Sequence, residues 1–167
     1  MKEGVNLKFK YFSILIILLV LLSACNTGIE PKEHLGEIYS VALDSIIEQD
    51  EALSSDMEYI AIDMSNFEEV DERNKEEILS YFKEKYKVEV MDATLEQLKE
   101  KGLYNPDTMV LDGVLLRIKK VDFKFNNKIF FEGSKYHSGL GAVGVEVTVH
   151  YKDNKWKSKE AKMTWES

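Results

Sequence analysis

Leu35, Ile38, Tyr39, Ala42, Leu43, Ile46 and Ile47 recur every three or four residues, which predicts an amphipathic helix over 33–52. In MEYIAIDM (57–64) apolar side chains fall on both faces, as in a strand covered from two sides. Ile78, Leu79, Phe82 and Tyr86 form a second helical stripe. Asp71 stands where it can cap that helix, and Glu72, Glu76 and Glu77 follow near the positive end of its dipole. VEVMD (88–92) reads as a short strand. Thr94 and Gln97 match a capping box, with Ala93 and Leu98 placed as a hydrophobic staple. That third helix ends at Gly102, and Pro106 bars its return.

From Val114 the period changes to two. Val121, Phe123 and Phe125 alternate with Lys120, Asp122 and Lys124, and Asn126-Asn127 then makes a tight turn into KIFF. Val143, Val145, Val147, Val149 and Tyr151 alternate with polar residues up to a second turn at Asp153-Asn154. In the last strand Trp156 is out of phase with Ala161, Met163 and Trp165, which predicts a bulge near Lys159. The expected class is α+β: N-terminal helices with short strands, followed by a four-stranded antiparallel meander. This order admits a bent sheet wrapped on helices, in the manner of a cystatin or nuclear-transport-factor-like fold.

The start of the chain follows neither period. Lys2, Lys8 and Lys10 precede a twelve-residue apolar run, Tyr11 to Leu22, and then Ser23-Ala24-Cys25. The run is short of the roughly 20 residues that span a bilayer. A basic start, a short apolar centre and small residues before a cut site are the parts of a secretory signal. Leu22-Ser23-Ala24-Cys25 resembles the lipobox of bacterial lipoproteins. That resemblance implies a diacylglyceryl group on the Cys25 thiol and cleavage after Ala24. The expected organisation is a lipoprotein signal over 1–24, a lipidated tether over 25–34 and one α+β domain over 35–167. Two acyl chains hold a protein at a membrane where one does so only marginally.

Charge narrows the choice of partners. The net charge is −8, and removing the lysine-bearing signal makes the rest more acidic still. Such a surface repels nucleic acid and anionic lipid, although it leaves room for a small basic patch. The single cysteine, Cys25, permits no intramolecular disulfide.

Candidate chemistry is sparse. GLGAVG (139–144) has the letters of a dinucleotide loop, but it runs into VEVTVHY, a strand, where a phosphate cradle needs a helix N-terminus. Glycines here are expected to serve positive φ or close backbone approach. GSKYHSGLG is the better candidate for a ligand-facing loop, with Tyr136 and His137 as its contact residues. Ser138 beside His137 is not expected to form a nucleophile–base pair, because neighbours in a strand point to opposite faces. The three histidines, His34, His137 and His150, lack metal-ligand spacing. The carboxylates from Glu68 to Glu77 lack the pattern of a calcium loop. Asp63 and Asp92 end two strands and would meet at one sheet edge if those strands were parallel neighbours. Tyr151, Trp156 and Trp165 are read as core rather than pocket. No metal, cofactor or catalytic residue is assigned.

The lipobox, together with AIDMSNFEE, LEQLKEKGLY, DGVLLRI and GSKYHSGLGAVGVEVTVHYKDNKW…KEAKMTW, resembles a family of small Gram-positive surface lipoproteins. Members are often named peptide ABC transporter substrate-binding proteins. The resemblance implies residence at the outer face of the cytoplasmic membrane. The first expectation is a non-catalytic binding module for a small ligand, a peptide or a membrane-protein partner. An accessory component of a peptide transporter and a small wall-directed hydrolase are the alternatives. A chain of 167 residues is too short for the two lobes of a full peptide receptor.

Overall fold

Capping decides where two of the helices begin. Asp71 Oδ1 accepts from Asn74 N at 2.8 Å, and Asn74 Oδ1 accepts from Asp71 N at 3.4 Å. Thr94 and Gln97 repeat the exchange at 3.2 and 2.8 Å. In this computed structural model, which describes residues 29–167, three helices result: α1 (Leu35–Ile47), α2 (Glu72–Tyr86) and α3 (Leu95–Glu100). Short 3-10 turns occupy Pro31–His34, within the expected tether, and Glu51–Ser54. Cys25 and the expected signal segment lie outside the described residues. Among the described residues no helix is long and apolar enough to cross a membrane.

Eight strands complete the fold: β1 (Tyr59–Asp63), β2 (Glu89–Asp92), β3 (Tyr104–Asn105), β4 (Val110–Leu111), β5 (Val114–Lys124), β6 (Lys128–Ser138), β7 (Gly141–Lys152) and β8 (Lys155–Glu166). The class is α+β, with a mixed six-stranded sheet in the order β2-β1-β5-β6-β7-β8 and a small β3-β4 pair. β1 lies parallel to both β2 and β5, and β5 to β8 are successive antiparallel neighbours.

Register assigns the faces. Ile60, Ile62, Leu116, Ile118, Phe131, Val145 and Val147 share one side and are buried. α1 packs across β5 to β8 there, and α2 packs on α1 and β2. Tyr59, Ala61 and Leu115 project to the other side and join Ala93, Leu98 and Leu111 in a second cluster. β1 is therefore covered twice, as its unbroken apolar run requires.

The long helix expected over 33–52 stops at Ile47. The chain turns at Asp50, whose φ is 49°, and the Lys135 ammonium takes the carbonyls that a continuing helix would have used. In β8, pairing passes from Thr148↔Glu160 to Val149↔Ser158, so Lys159 bulges and Trp156 comes into phase with Ala161 and Met163. A second bulge at Thr164 places Trp165 opposite Gly144, on the other face. Trp165 is half exposed and does not join the core. The two bulges and four lysines of β8 also guard its free edge against pairing with another chain.

Candidate functional site

His137 is the last core-facing residue of β6 before the β6-β7 turn. Its Nδ1–H donates to the Gly113 carbonyl at 3.1 Å, which leaves Nε2 as the acceptor of the neutral ring. The ring lines a cleft of about 210 Å3 with Ser55, Asp56, Glu58 and Asp112 on its walls. Two backbone segments build those walls, 52–58 and 110–112. Glu58 N donates to Asp112 O at 2.8 Å where they meet. Gly113 makes that approach possible, since a Cβ there would overlap the Tyr59 carbonyl and ring.

Lys135 fixes the first wall. Its side chain is fully buried, and its Nζ donates to Ile47 O at 3.0 Å, Asp50 O at 2.7 Å and Ser54 Oγ at 2.8 Å, and also to Gln49 O. One cation thus ends α1, where the dipole favours positive charge, and folds the following turn against the sheet. Burial lowers its pKa to about 8, against the pull of Asp50 and Glu51. The sequence carries a signal for this residue. In the alternation Ile129, Phe131, Gly133, Lys135, the lysine occupies a core position.

The cleft is electronegative. Burial raises the Tyr59 hydroxyl to about 12, and the charges of Asp112 and Glu58 add to the rise. Tyr59 OH donates to Leu103 O at 3.0 Å on the far side of the sheet. A second depression of about 360 Å3 lies across the same loop, lined by Glu48, Met57, Lys85 and Tyr86. Asp44 already engages its polar groups, accepting from Lys85 Nζ at 2.5 Å and Tyr86 OH at 2.8 Å.

The two residues expected to contact a ligand are separated. His137 faces the cleft. Tyr136 points through the other face of the sheet, where its hydroxyl donates to Met109 O at 2.7 Å and its ring packs on the Tyr59–Leu111 cluster. The rule that separates Ser138 from His137 also separates Tyr136 from His137. No hydrogen bond joins Ser138 to His137 among the described residues.

Asp63 and Asp92 do end parallel neighbours, with Ile62 opposite Asp92. They point to opposite faces, and each serves the local backbone: Asp63 Oδ1 accepts from Ser65 N and Oγ at 3.2 and 2.5 Å, Asp92 Oδ1 from Met64 N at 3.2 Å. Among the described residues no group of three or more His, Cys, Asp or Glu is placed to hold a metal ion.

Gly139–Gly144 contains no positive φ among its glycines. Gly139 lies in the turn, Gly141 opens β7, and Gly144 gives up its side-chain space to the Trp165 indole. The motif serves close approach, and a strand follows it where a nucleotide loop has a helix. Comparison with protein-family models, with curated proteins and with solved structures gives no match.

Proposed function

We propose that this chain is a lipid-anchored extracytoplasmic binding module that takes a small cationic group in the cleft beside His137. The cleft carries the proposal. Its volume of about 210 Å3 is below the roughly 300–1,000 Å3 of drug-sized sites and suits an amine or one basic side chain of a peptide. Asp56, Glu58 and Asp112 supply negative charge, and His137 supplies a directional hydrogen-bonding group on a strand, where its position is rigid. The four antiparallel strands packed on α1 support, as a finer reading of the architecture, a cystatin-like or nuclear-transport-factor-like wrap. Anchorage rests on the basic start, the short apolar run and Cys25.

Each half has its own experiment. Titration with lysine amide and with short lysine-containing peptides, followed by nuclear magnetic resonance, should move the His137 ring signals. The response should be lost in Asp112→Asn. No movement at millimolar ligand would refute the cleft assignment. In the native host, Cys25→Ala should abolish incorporation of radiolabelled palmitate and leave the precursor unprocessed. Persistent labelling would refute the anchor.

A further inference from the structure

The acidic chain has one basic end. Register aligns Lys124 with Lys128, Lys128 with His150, and His150 with Lys157, a row across four strands on the face that α1 leaves open. Lys152 pairs with Lys155 beyond that row. Segments 122–128 and 150–160 together hold six lysines against Asp122, Asp153 and Glu160. Asp122 pairs with Lys124 and Asp153 with Lys157, whereas Lys128, Lys152, Lys155 and Lys159 have no carboxylate partner among the described residues. Burial first, then Lys152, Lys159, Lys128 and Lys157, push the His150 ring below its ordinary value.

At the tip of the same hairpin Phe125 is 93% exposed. Asn126 and Asn127, with φ of 63° and 50°, turn the chain immediately behind it. A bare aromatic ring among unpaired lysines is the combination that enters the interface of an anionic bilayer: the cations meet headgroups and the ring reaches the acyl boundary.

The origin of the tether lies at this end too. Glu37, in the first turn of α1, accepts from Trp156 N at 3.2 Å, close to the β7-β8 turn. The other end of α1 is held at Lys135. The helix therefore enters at the basic end and finishes at the cleft. Cys25 precedes Pro31 by six residues, which reach at most about 21 Å.

We infer that the Phe125 tip and its lysines form a docking surface for an anionic phospholipid bilayer, seating the folded unit on the membrane with the His137 cleft turned away from it. His137 stands nine positions along β6 from Lys128, about 30 Å of extended chain. The inference rests on the proposed location at a membrane face and not on ligand binding, and the affinity of the surface itself is measured without the lipid.

The test uses the chain from residue 25 with Cys25→Ala, so that no acyl group contributes, and vesicles of equal parts phosphatidylglycerol and phosphatidylcholine. Co-sedimentation is expected at low salt and should be lost near about 0.5 M salt, where screening is nearly complete. Phe125→Ala should weaken partition about tenfold, and each of Lys128→Gln, Lys152→Gln and Lys155→Gln about fivefold. All four positions are surface sites, and circular dichroism verifies that each variant folds. Absence of binding would overturn the inference, as would equal binding to pure phosphatidylcholine. Binding to soluble poly(glycerol phosphate) in place of vesicles, indifferent to Phe125→Ala, would overturn it in favour of a wall polyanion. Because the tested chain lacks the lipid, failure here would leave the Cys25 and His137 assignments standing.

Discussion

Replacing Lys135 with methionine keeps the length and volume of the side chain and removes only the ammonium. Four oxygens then lose a donor: Ile47 O, Gln49 O, Asp50 O and Ser54 Oγ. A buried acceptor left without a partner costs about 1–3 kcal/mol. The outer three can turn toward water, and removing a buried charge returns part of the loss. A net destabilisation of about 3 kcal/mol is expected at neutral pH. The pH dependence is more specific. The folded chain releases the Lys135 proton near pH 8, while the unfolded chain holds it to about 10.5. Between those values the unfolded state binds more protons, so this group's contribution to stability rises with pH; it is lowest below 8 and complete above 10.5. Tyr39 and Tyr59, raised to about 12, act in the opposite sense only above pH 10. The full shift corresponds to about 2 kcal/mol between roughly pH 7.5 and 9.5. Because three of the four partners are only partly buried, about 1 kcal/mol is expected. Urea denaturation of both proteins across that interval measures it, and the difference between the two slopes cancels titrations they share. A Lys135→Met variant as stable as the wild type, or with the same rise in stability, would refute a charged Lys135 as the pin of this loop.

Asp44→Ala should cost about 2 kcal/mol in urea melts, because the carboxylate accepts from Tyr81 OH at 3.1 Å, Lys85 Nζ at 2.5 Å and Tyr86 OH at 2.8 Å and so joins α1 to α2. Gly144→Ala should expel the Trp165 indole that lies against it, red-shifting tryptophan fluorescence for about 1 kcal/mol of stability; unchanged emission would mean the indole lies elsewhere. Asn127→Gly should add about 0.5 kcal/mol of stability in urea melts, since φ there is 50° and glycine carries no steric penalty in that region.

Local rules carried much of the fold. The caps at Asp71 and Thr94, the stop at Gly102 with φ of 72°, the two positive-φ hairpin turns and the bulge at Lys159 are each decided by a few neighbouring residues. Strong short-range signals of this kind survive in a single sequence. The β3-β4 pair is not legible in the sequence, because two-residue strands have no period to detect. α1 stops short of its expected end, because Ala52 and Leu53 extend its apolar spacing but what ends it is a lysine 88 residues away.

The same division holds for the sites. The chain alone shows the acidic balance, the lipobox-like run that ends at Cys25 and the strand context that denies GLGAVG a nucleotide loop, since each follows from composition or from what stands next to what. Tertiary structure decided that His137 and not Tyr136 faces a cleft, that Asp63 and Asp92 turn apart, and that Trp165 leaves the core. It also collected three lysines and His150 from four strands into one row near Phe125. These are matters of register and face. A strand's neighbour is chosen by the whole sheet, and a shift of one residue reverses every side chain; no local pattern contains that information.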